Sequence, residues 1–208
     1  EAKRVREFNK RHDSFLTPEI EAYWPSVFPI AASNAVMHTG NSWTKSTYSA
    51  FKQNFFTIPV MSIIDEDYKP LTFHKNARDF IWIGGHGAIA KGLDLVIDAF
   101  KLLKTDSKLH IFGSLTNEPN FYNVYKDLFD NDKSILFHGM ADVNSDGFKE
   151  IVQHCAFTVF PGSAEAGASS VLTTMHLGLL PIVTLGSSID LVDFGVFVDK
   201  LDVKSTQI

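Results

Sequence analysis

The stretch Phe80-Ile-Trp-Ile-Gly-Gly-His-Gly-Ala-Ile-Ala-Lys-Gly-Leu-Asp-Leu-Val-Ile-Asp-Ala-Phe100 decides the fold. It opens on a short run of β-forming apolar residues and turns through Gly84, Gly85 and Gly87. It continues with Leu93, Val96, Ile97, Phe100 and Leu103 at helical spacing. Similar apolar runs recur in Leu109-His-Ile-Phe-Gly113, Ile135-Leu-Phe-His-Gly139, Phe157-Thr-Val-Phe-Pro161, Leu180-Pro-Ile-Val-Thr184 and Gly195-Val-Phe-Val198. Each is of strand length, and several stop at Gly or Pro. Helix-like stretches lie between them, over roughly 119–130, 145–154 and 168–178. Strands apolar on both faces, alternating with helices, predict an α/β fold with a doubly wound, Rossmann-like parallel sheet of about six strands. Ligands of such sheets bind at the carboxyl ends of the strands, so chemistry is expected in the residues that follow each run.

Residues 1–64 read differently. Glu1 to His12 is a charged helix candidate, for which a solvated face is expected rather than contact with an anionic membrane. A tract around Phe28-Pro-Ile-Ala-Ala-Ser-Asn-Ala-Val-Met37 follows, then a helix candidate over Thr44 to Gln53 and an extended run over Phe55 to Ile63. This is too little for a second complete domain. It reads as a partial N-terminal α/β segment, and the polar stretch 65–79 reads as a linker to a domain over 80–208.

Composition narrows the class. The chain has 208 residues, 45% hydrophobic and 21% charged, with a formal net charge of -5, which excludes a disordered or fibrous chain. The weak acidity gives no reason to expect a nucleic-acid partner. A single cysteine, Cys155, excludes an intrachain disulfide framework and fits a reducing compartment. No apolar run reaches the ~18–20 residues of a membrane span. The charged opening Glu1-Ala-Lys-Arg-Val-Arg reads as no signal peptide; the absence of an initiator Met and an ending at Lys204-Ser-Thr-Gln-Ile208 with no obvious final element suggest a fragment of a longer protein.

Three loops can carry chemistry. Gly84-Gly-His-Gly-Ala-Ile-Ala-Lys-Gly92 lets a ligand approach the backbone closely, and Lys91 stands where a helix is expected to open. A cation there opposes the helix dipole, whereas a bound phosphate would favour both the lysine and the free amides. A solvated lysine beside an ordinary turn is the competing account. The loop lacks the Gly-Lys-Ser/Thr of a P-loop. Gly85-His-Gly87, with Ala90 at the third position, keeps a weak dinucleotide fingerprint. That rival requires an acidic ribose ligand at the end of the second strand, which reads Gly113-Ser-Leu-Thr-Asn with Glu118 only farther on. In Phe160-Pro-Gly-Ser-Ala-Glu-Ala-Gly-Ala-Ser-Ser170, small residues meet a helix start, Ser169 or Gly167 is the expected cap, and Glu165 suits the dipole. The third loop is His138-Gly-Met-Ala-Asp142. The histidines have no metal-ligand spacing, so no metal is expected, and His110, His138 and His154 read as structural. Ser163 lacks the Gly-x-Ser-x-Gly elbow of a serine hydrolase.

Together these loops resemble the C-terminal nucleotide-sugar-binding domain of GT-B glycosyltransferases, specifically the retaining group 1 (family 4) transferases. The resemblance covers about residues 80–200. It rests on Lys91-Gly92 with Leu93-Asp-Leu-Val-Ile-Asp-Ala-Phe100, on Leu109-His-Ile-Phe-Gly113 and Ile135-Leu-Phe-His-Gly139, and above all on Phe160-Pro-Gly-Ser-Ala-Glu165 followed by Met175-His-Leu-Gly178 and Pro181-Ile-Val-Thr184. Thr39-Gly-Asn-Ser-Trp-Thr-Lys-Ser-Thr-Tyr48 resembles a stretch of the family near its interdomain cleft.

The resemblance implies roles residue by residue. Lys91 matches the lysine on the donor diphosphate, and Glu165 matches the first Glu of the family's paired-Glu motif, which contacts the donor sugar; these two are the catalytic candidates. The backbone of Ala166, Gly167, Ala168 and Ser169 matches amides that hold sugar and phosphate. Gly139 and Met140 match the loop near the nucleobase, and Gly85, His86 and Gly87 the phosphate turn. Two positions depart. Thr173 replaces the second Glu, a ribose ligand, roughly 12 Å along the helix axis from Glu165. His86 stands for the usual Arg, and it is charged only near or below a pH of ~6.5. The implied activity is retaining transfer of a sugar from a nucleoside-diphosphate sugar to an acceptor hydroxyl, with no cofactor or metal. A glycan or lipid-linked acceptor in cell-surface polysaccharide assembly is implied, as is a cytoplasmic location, with any membrane contact peripheral to its inner face. The alternative is a degenerate, non-catalytic domain that binds nucleotide or a partner.

Overall fold

A computed structural model describes residues 2–17, 27–52, 54–62, 71–200 and 202–206. Expectations at Glu1, 24–26, Gln53, 63–70 and 207–208 lie outside the described residues. The elements run α1 (Ala2–His12), α2 (Val27–Ala32), β1 (Ala35–Thr39), α3 (Ser42–Thr47), β2 (Asn54–Ile58), β3 (Asp79–Ile83), α4 (Leu93–Leu102), β4 (Leu109–Phe112), α5 (Pro119–Asn131), β5 (Ile135–Phe137), α6 (Asp146–Val152), β6 (Cys155–Phe160), α7 (Ser169–His176), β7 (Leu180–Val183), β8 (Val196–Phe197) and α8 (Val203–Thr206).

The six expected runs form one parallel sheet in the order β5-β4-β3-β6-β7-β8. Alternate side chains enter opposite layers, which explains why the strands are apolar throughout. Trp82, Leu109, Ile111 and Val159 face one core with the α4 residues Leu93, Val96 and Ile97. Ile81, Ile83, Phe112 and Cys155 face the other with Phe148 and Val152 of α6. Burial pushes the Cys155 thiol up to about 12, so it is a poor nucleophile.

Strand order reverses between β3 and β6. The chain steps outward from β3 to β4 and β5, returns to pair β6 with the free side of β3, then steps outward to β7 and β8. Connections leaving β3 and β6 therefore diverge, and a crevice opens above their carboxyl ends.

The helix α1 corrects one expectation. Instead of a solvated face, it buries Arg4, Val5 and Phe8. Phe8 packs with Phe121 and Tyr125 of α5 at ring distances of 5.6 and 6.1 Å. Each such buried side chain contributes about 1.5–3 kcal/mol. The charges go inward with it. Asp94 of α4 is fully buried and accepts from Arg4 Nη2 at 2.6 Å and from Nη2 of Arg11. Asp98 accepts from Arg11 Nε at 3.1 Å, from His12 Nε2 at 2.9 Å and from the Tyr125 hydroxyl at 3.1 Å. Burial drives the Asp94 carboxyl pKa up, and the two guanidiniums oppose that rise.

The N-terminal segment forms a separate two-stranded parallel sheet, with Ala35 opposite Asn54 and Thr39 opposite Ile58. The helix expected over Thr44 to Gln53 is shorter and begins earlier. Asn41 caps it by accepting from the amides of Trp43 and Thr44, and it ends at Thr47. Of the stretch 65–79, the described part packs on the sheet domain: His74 stacks on His154 at 3.9 Å, and its amide donates to the Gln153 carbonyl at 3.0 Å.

His110 and His138 form a polar chain on the sheet. His110 Nε2 lies 3.4 Å from Asp79 Oδ2, and its Nδ1 lies 3.0 Å from His138 Nε2. His110 Nε2–H donates to the Asp79 carboxylate, so His110 Nδ1 accepts and His138 Nε2 donates. Desolvation lowers both pKa values. Asp79 opposes it at His110, where Lys108 and His154 add to the lowering, and His110 reinforces it at His138.

Two tests follow from this packing. Asp94→Asn leaves two guanidiniums facing a neutral group, and should lower the unfolding free energy by about 3–5 kcal/mol in urea denaturation. The folded chain also binds fewer protons at His110 and His138 than the unfolded chain does. The stability held by the neutral pair is complete above the unfolded value of ~6.5 and is lost as pH falls below it. The urea midpoint should therefore drop from pH 7.5 to 5.5, and a His110→Gln/His138→Gln variant should drop less. An equal drop would contradict the assignment.

Candidate functional site

Three loops meet above the reversal in strand order: 84–92 after β3, 161–168 after β6 and 184–188 after β7. Backbone contacts bind them into one unit. Both the amide and the hydroxyl of Ser163 donate to the Ala90 carbonyl at 2.9 Å. The Thr184 hydroxyl donates to the Gly162 carbonyl at 2.5 Å, and the Ser170 hydroxyl to the Ile83 carbonyl at 2.8 Å. Gly92 adopts φ +74, and a Cβ there would stand 2.3 Å from the Pro161 carbonyl oxygen. Only glycine lets the loops after β3 and β6 approach this closely.

Lys91 lies in the turn before α4 rather than inside it. Gly92 is the N-cap, and the helix begins at Leu93. The Lys91 side chain crosses the crevice, and its partner there offsets the dipole penalty expected for a lysine at a helix start. Its Nζ donates to Glu165 Oε1 at 2.9 Å and to Oε2 at 3.0 Å. Both side chains are about one-fifth exposed, so the pair is partly shielded from solvent but within its reach. The two catalytic candidates thus come together across β3 and β6.

The other residues take varied positions. The helix α7 starts at Ser169, with Ala168 as the N-cap and no side-chain cap bond, so neither Ser169 nor Gly167 caps it as expected. The Ala168 amide donates to the Ser187 carbonyl at 3.0 Å and is not open to a ligand. Ala166 is exposed, and Gly167 has φ +97. Thr173 donates to the Ser169 carbonyl at 3.0 Å and lies 2.8 Å from the Ser62 hydroxyl. Gly139 has φ +78, its carbonyl accepts from the Gly113 amide at 2.8 Å, and Met140 is exposed.

Gly85 is half-buried, His86 is exposed and Gly87 has φ +90. Around them the structure adds a residue that sequence reasoning had set aside. Glu118, just before α5, reaches the glycine turn and accepts from the amides of Gly87 and Ala88. Its distance along the chain hid this contact; the only signal was an acidic residue following the second strand.

The N-terminal segment also reaches the loops. Asn41 Nδ2 donates to Asp190 at 2.9 Å, and Thr44 and Ser188 share a short hydroxyl contact. A cavity of about 390 Å³ lies between Trp43 of α3 and Ser163, Thr184, Leu185, Gly186 and Phe197. The carboxyl end of the sheet thus carries a cation and a carboxylate in contact, loop backbone, and a cavity lined by the neighbouring loops.

The model of the family described as glycosyl transferases group 1 matches residues 77–205. The chain belongs to that family, and the matched part has the C-terminal GT-B domain fold. No curated protein sequence matches it. Among solved structures, the catalytic domain of starch synthase IV from Arabidopsis thaliana, bound to ADP and acarbose, gives a TM-score of 0.61 at 14% identity, over 88% of this chain and 48% of that one. A glycosyltransferase from Rickettsia africae gives 0.64 at 13%, over 99% and 68%. Anabaena HepE in complex with UDP and glucose gives 0.64 at 12%, over 99% and 63%. The chain spans about half to two-thirds of the length of these proteins, and at such identities the likeness is one of fold. Among the described residues, no helix is long and apolar enough to cross a membrane.

Gly167 offers a test of how the segments fit. A Cβ there would stand 1.9 Å from Val60 Cγ2, at a φ that side chains rarely adopt. Gly167→Ala should destabilise by about 1–3 kcal/mol, measured by thermal denaturation.

Proposed function

We propose that this chain is the donor-binding part of a glycosyltransferase that moves a sugar from a nucleoside-diphosphate sugar to an acceptor hydroxyl with retention. The observation that carries this reading is the Lys91–Glu165 pair spanning the crevice over β3 and β6. Donor entry would divide the pair. The diphosphate takes the Lys91 ammonium, and sugar hydroxyls donate to the Glu165 carboxylate. As the bond from the sugar's anomeric carbon to the diphosphate oxygen breaks, charge grows on the leaving group. Lys91 and the backbone amides of the loops favour that charge. The acceptor oxygen bonds to the same face of the anomeric carbon, and its proton passes to the departing diphosphate. No metal or cofactor is required by these steps. A glycan or lipid-linked acceptor, assembly of cell-surface polysaccharide and a cytoplasmic site of action belong to the same proposal.

A second reading, a non-catalytic domain that holds a nucleotide or a partner, is favoured by Thr173. Where the family has a ribose-binding Glu, this hydroxyl is bonded within the chain to Ser169 and Ser62. Calorimetry with UDP-, ADP- and GDP-sugars tests the donor site. Lys91→Ala should weaken the nucleotide that binds by about ten- to a hundredfold, the worth of a charge-assisted contact. If no nucleotide binds at millimolar concentration and Lys91→Ala changes nothing, the donor reading fails. If nucleotide binds but the full-length protein transfers no sugar, the second reading holds.

A further inference from the structure

The glycine turn already carries an anion. Glu118 Oε1 accepts from the Gly87 amide at 2.8 Å, while its two oxygens accept from the Ala88 amide at 3.2 and 3.0 Å. Two successive N–H groups converging on one carboxylate form a concave anion seat of the kind that holds phosphate oxygens elsewhere. The same turn carries Lys91, whose amide donates to the Gly87 carbonyl at 2.9 Å. The Glu118 side chain is only 9% exposed, so its negative charge is held close to these amides. The imidazole beside it makes only a loose contact: His86 Nδ1 lies 3.6 Å from Oε1 on a side chain that is 53% exposed. Nothing about packing a turn requires a carboxylate drawn from beyond the next strand, because a water or a hydroxyl would satisfy the same amides.

We infer that Glu118 is an internal competitor for the anion seat at Gly87–Ala88, and that it sets the affinity of the chain for the donor diphosphate. The inference rests on the donor reading above and adds to it a residue that the reading does not contain. A diphosphate oxygen and the Glu118 carboxylate cannot share the same two amides, and their like charges repel at contact distance. Binding therefore needs the carboxylate to withdraw. A cavity of about 110 Å³ bordered by Glu118, Asn120, Gly87, Ile89 and Ala90 lies beside the turn and gives the side chain space to do so. With Lys91 held by Glu165 on the other side of the crevice, both the cation and the amide seat are engaged by the chain's own carboxylates.

The test is calorimetric titration of the full chain with inorganic pyrophosphate and, separately, with UDP, ADP and GDP. Wild type is compared with Glu118→Gln and Glu118→Ala, and thermal midpoints report folding. Glu118→Gln keeps the shape and one acceptor but removes the charge, so it decides the matter if Glu118→Ala does not fold. The expected result is about tenfold tighter pyrophosphate and nucleoside diphosphate in both folded variants. Pyrophosphate binding that is unchanged or weaker in a folded Glu118→Gln overturns the inference and makes Glu118 a holder of the turn. Failure of all forms to bind pyrophosphate also overturns it. Tighter pyrophosphate with nucleoside diphosphates no better than pyrophosphate leaves the competitor in place and removes the donor reading. Nucleoside diphosphate binding equally to wild type and a folded Glu118→Gln keeps the donor reading and removes the competitor.

Discussion

The pairing of β3 with β6 is the constraint on which the site depends. Because the sheet grows outward in both directions from this pair, the loops that follow them leave in opposite senses and open a crevice between them. Gly92 and Pro161 then bring the two loops to backbone contact at its base, where a Cβ could not fit. Lys91 and Glu165 stand on either side of this contact. Their meeting follows from strand order and one missing side chain rather than from any local motif.

Charge is balanced inside the chain at several depths. Beneath the surface, α1 is tied to α4 by Arg4 and Arg11 on Asp94. A buried pair of this kind is weak as a source of net stability, because desolving the charges cancels much of their attraction. Its stronger effect is on register: a slip of α1 along α4 would leave a charge unmatched in a dry environment. Near the crevice the same economy recurs, with Lys91 held by the Glu165 carboxylate and the Gly87 and Ala88 amides by the Glu118 carboxylate.

The sheet was legible because parallel strands buried on both faces have no polar alternation to obscure them. The runs beginning at Phe80, Leu109, Ile135, Phe157, Leu180 and Gly195 all mark strands, displaced by no more than two residues at either end. Ala35–Thr39 was absorbed into a longer tract because its strand is short and mostly exposed, so burial gave it no signal. The helix at Ser42 was misplaced because its start depends on Asn41 capping two amides, which outweighs apolar periodicity over so short a helix. The opening helix looked solvated because its arginines count as surface charge until Asp94 and Asp98 are brought beneath them. Lys91 and Glu165 could be named from motif order, but their contact could not. Glu118 escaped because it acts across the fold, on amides that carry no sequence signature.

Trp82 connects this architecture to something measurable. Its ring is fully buried and stacks on Phe160 at 6.1 Å, while its indole N–H donates to the Lys91 carbonyl at 3.3 Å. The chromophore is thus wired to the backbone of the residue that crosses the crevice. Beside its other two tryptophans, the protein thus carries an intrinsic fluorophore seated under that loop and hydrogen-bonded to its backbone, without any added label.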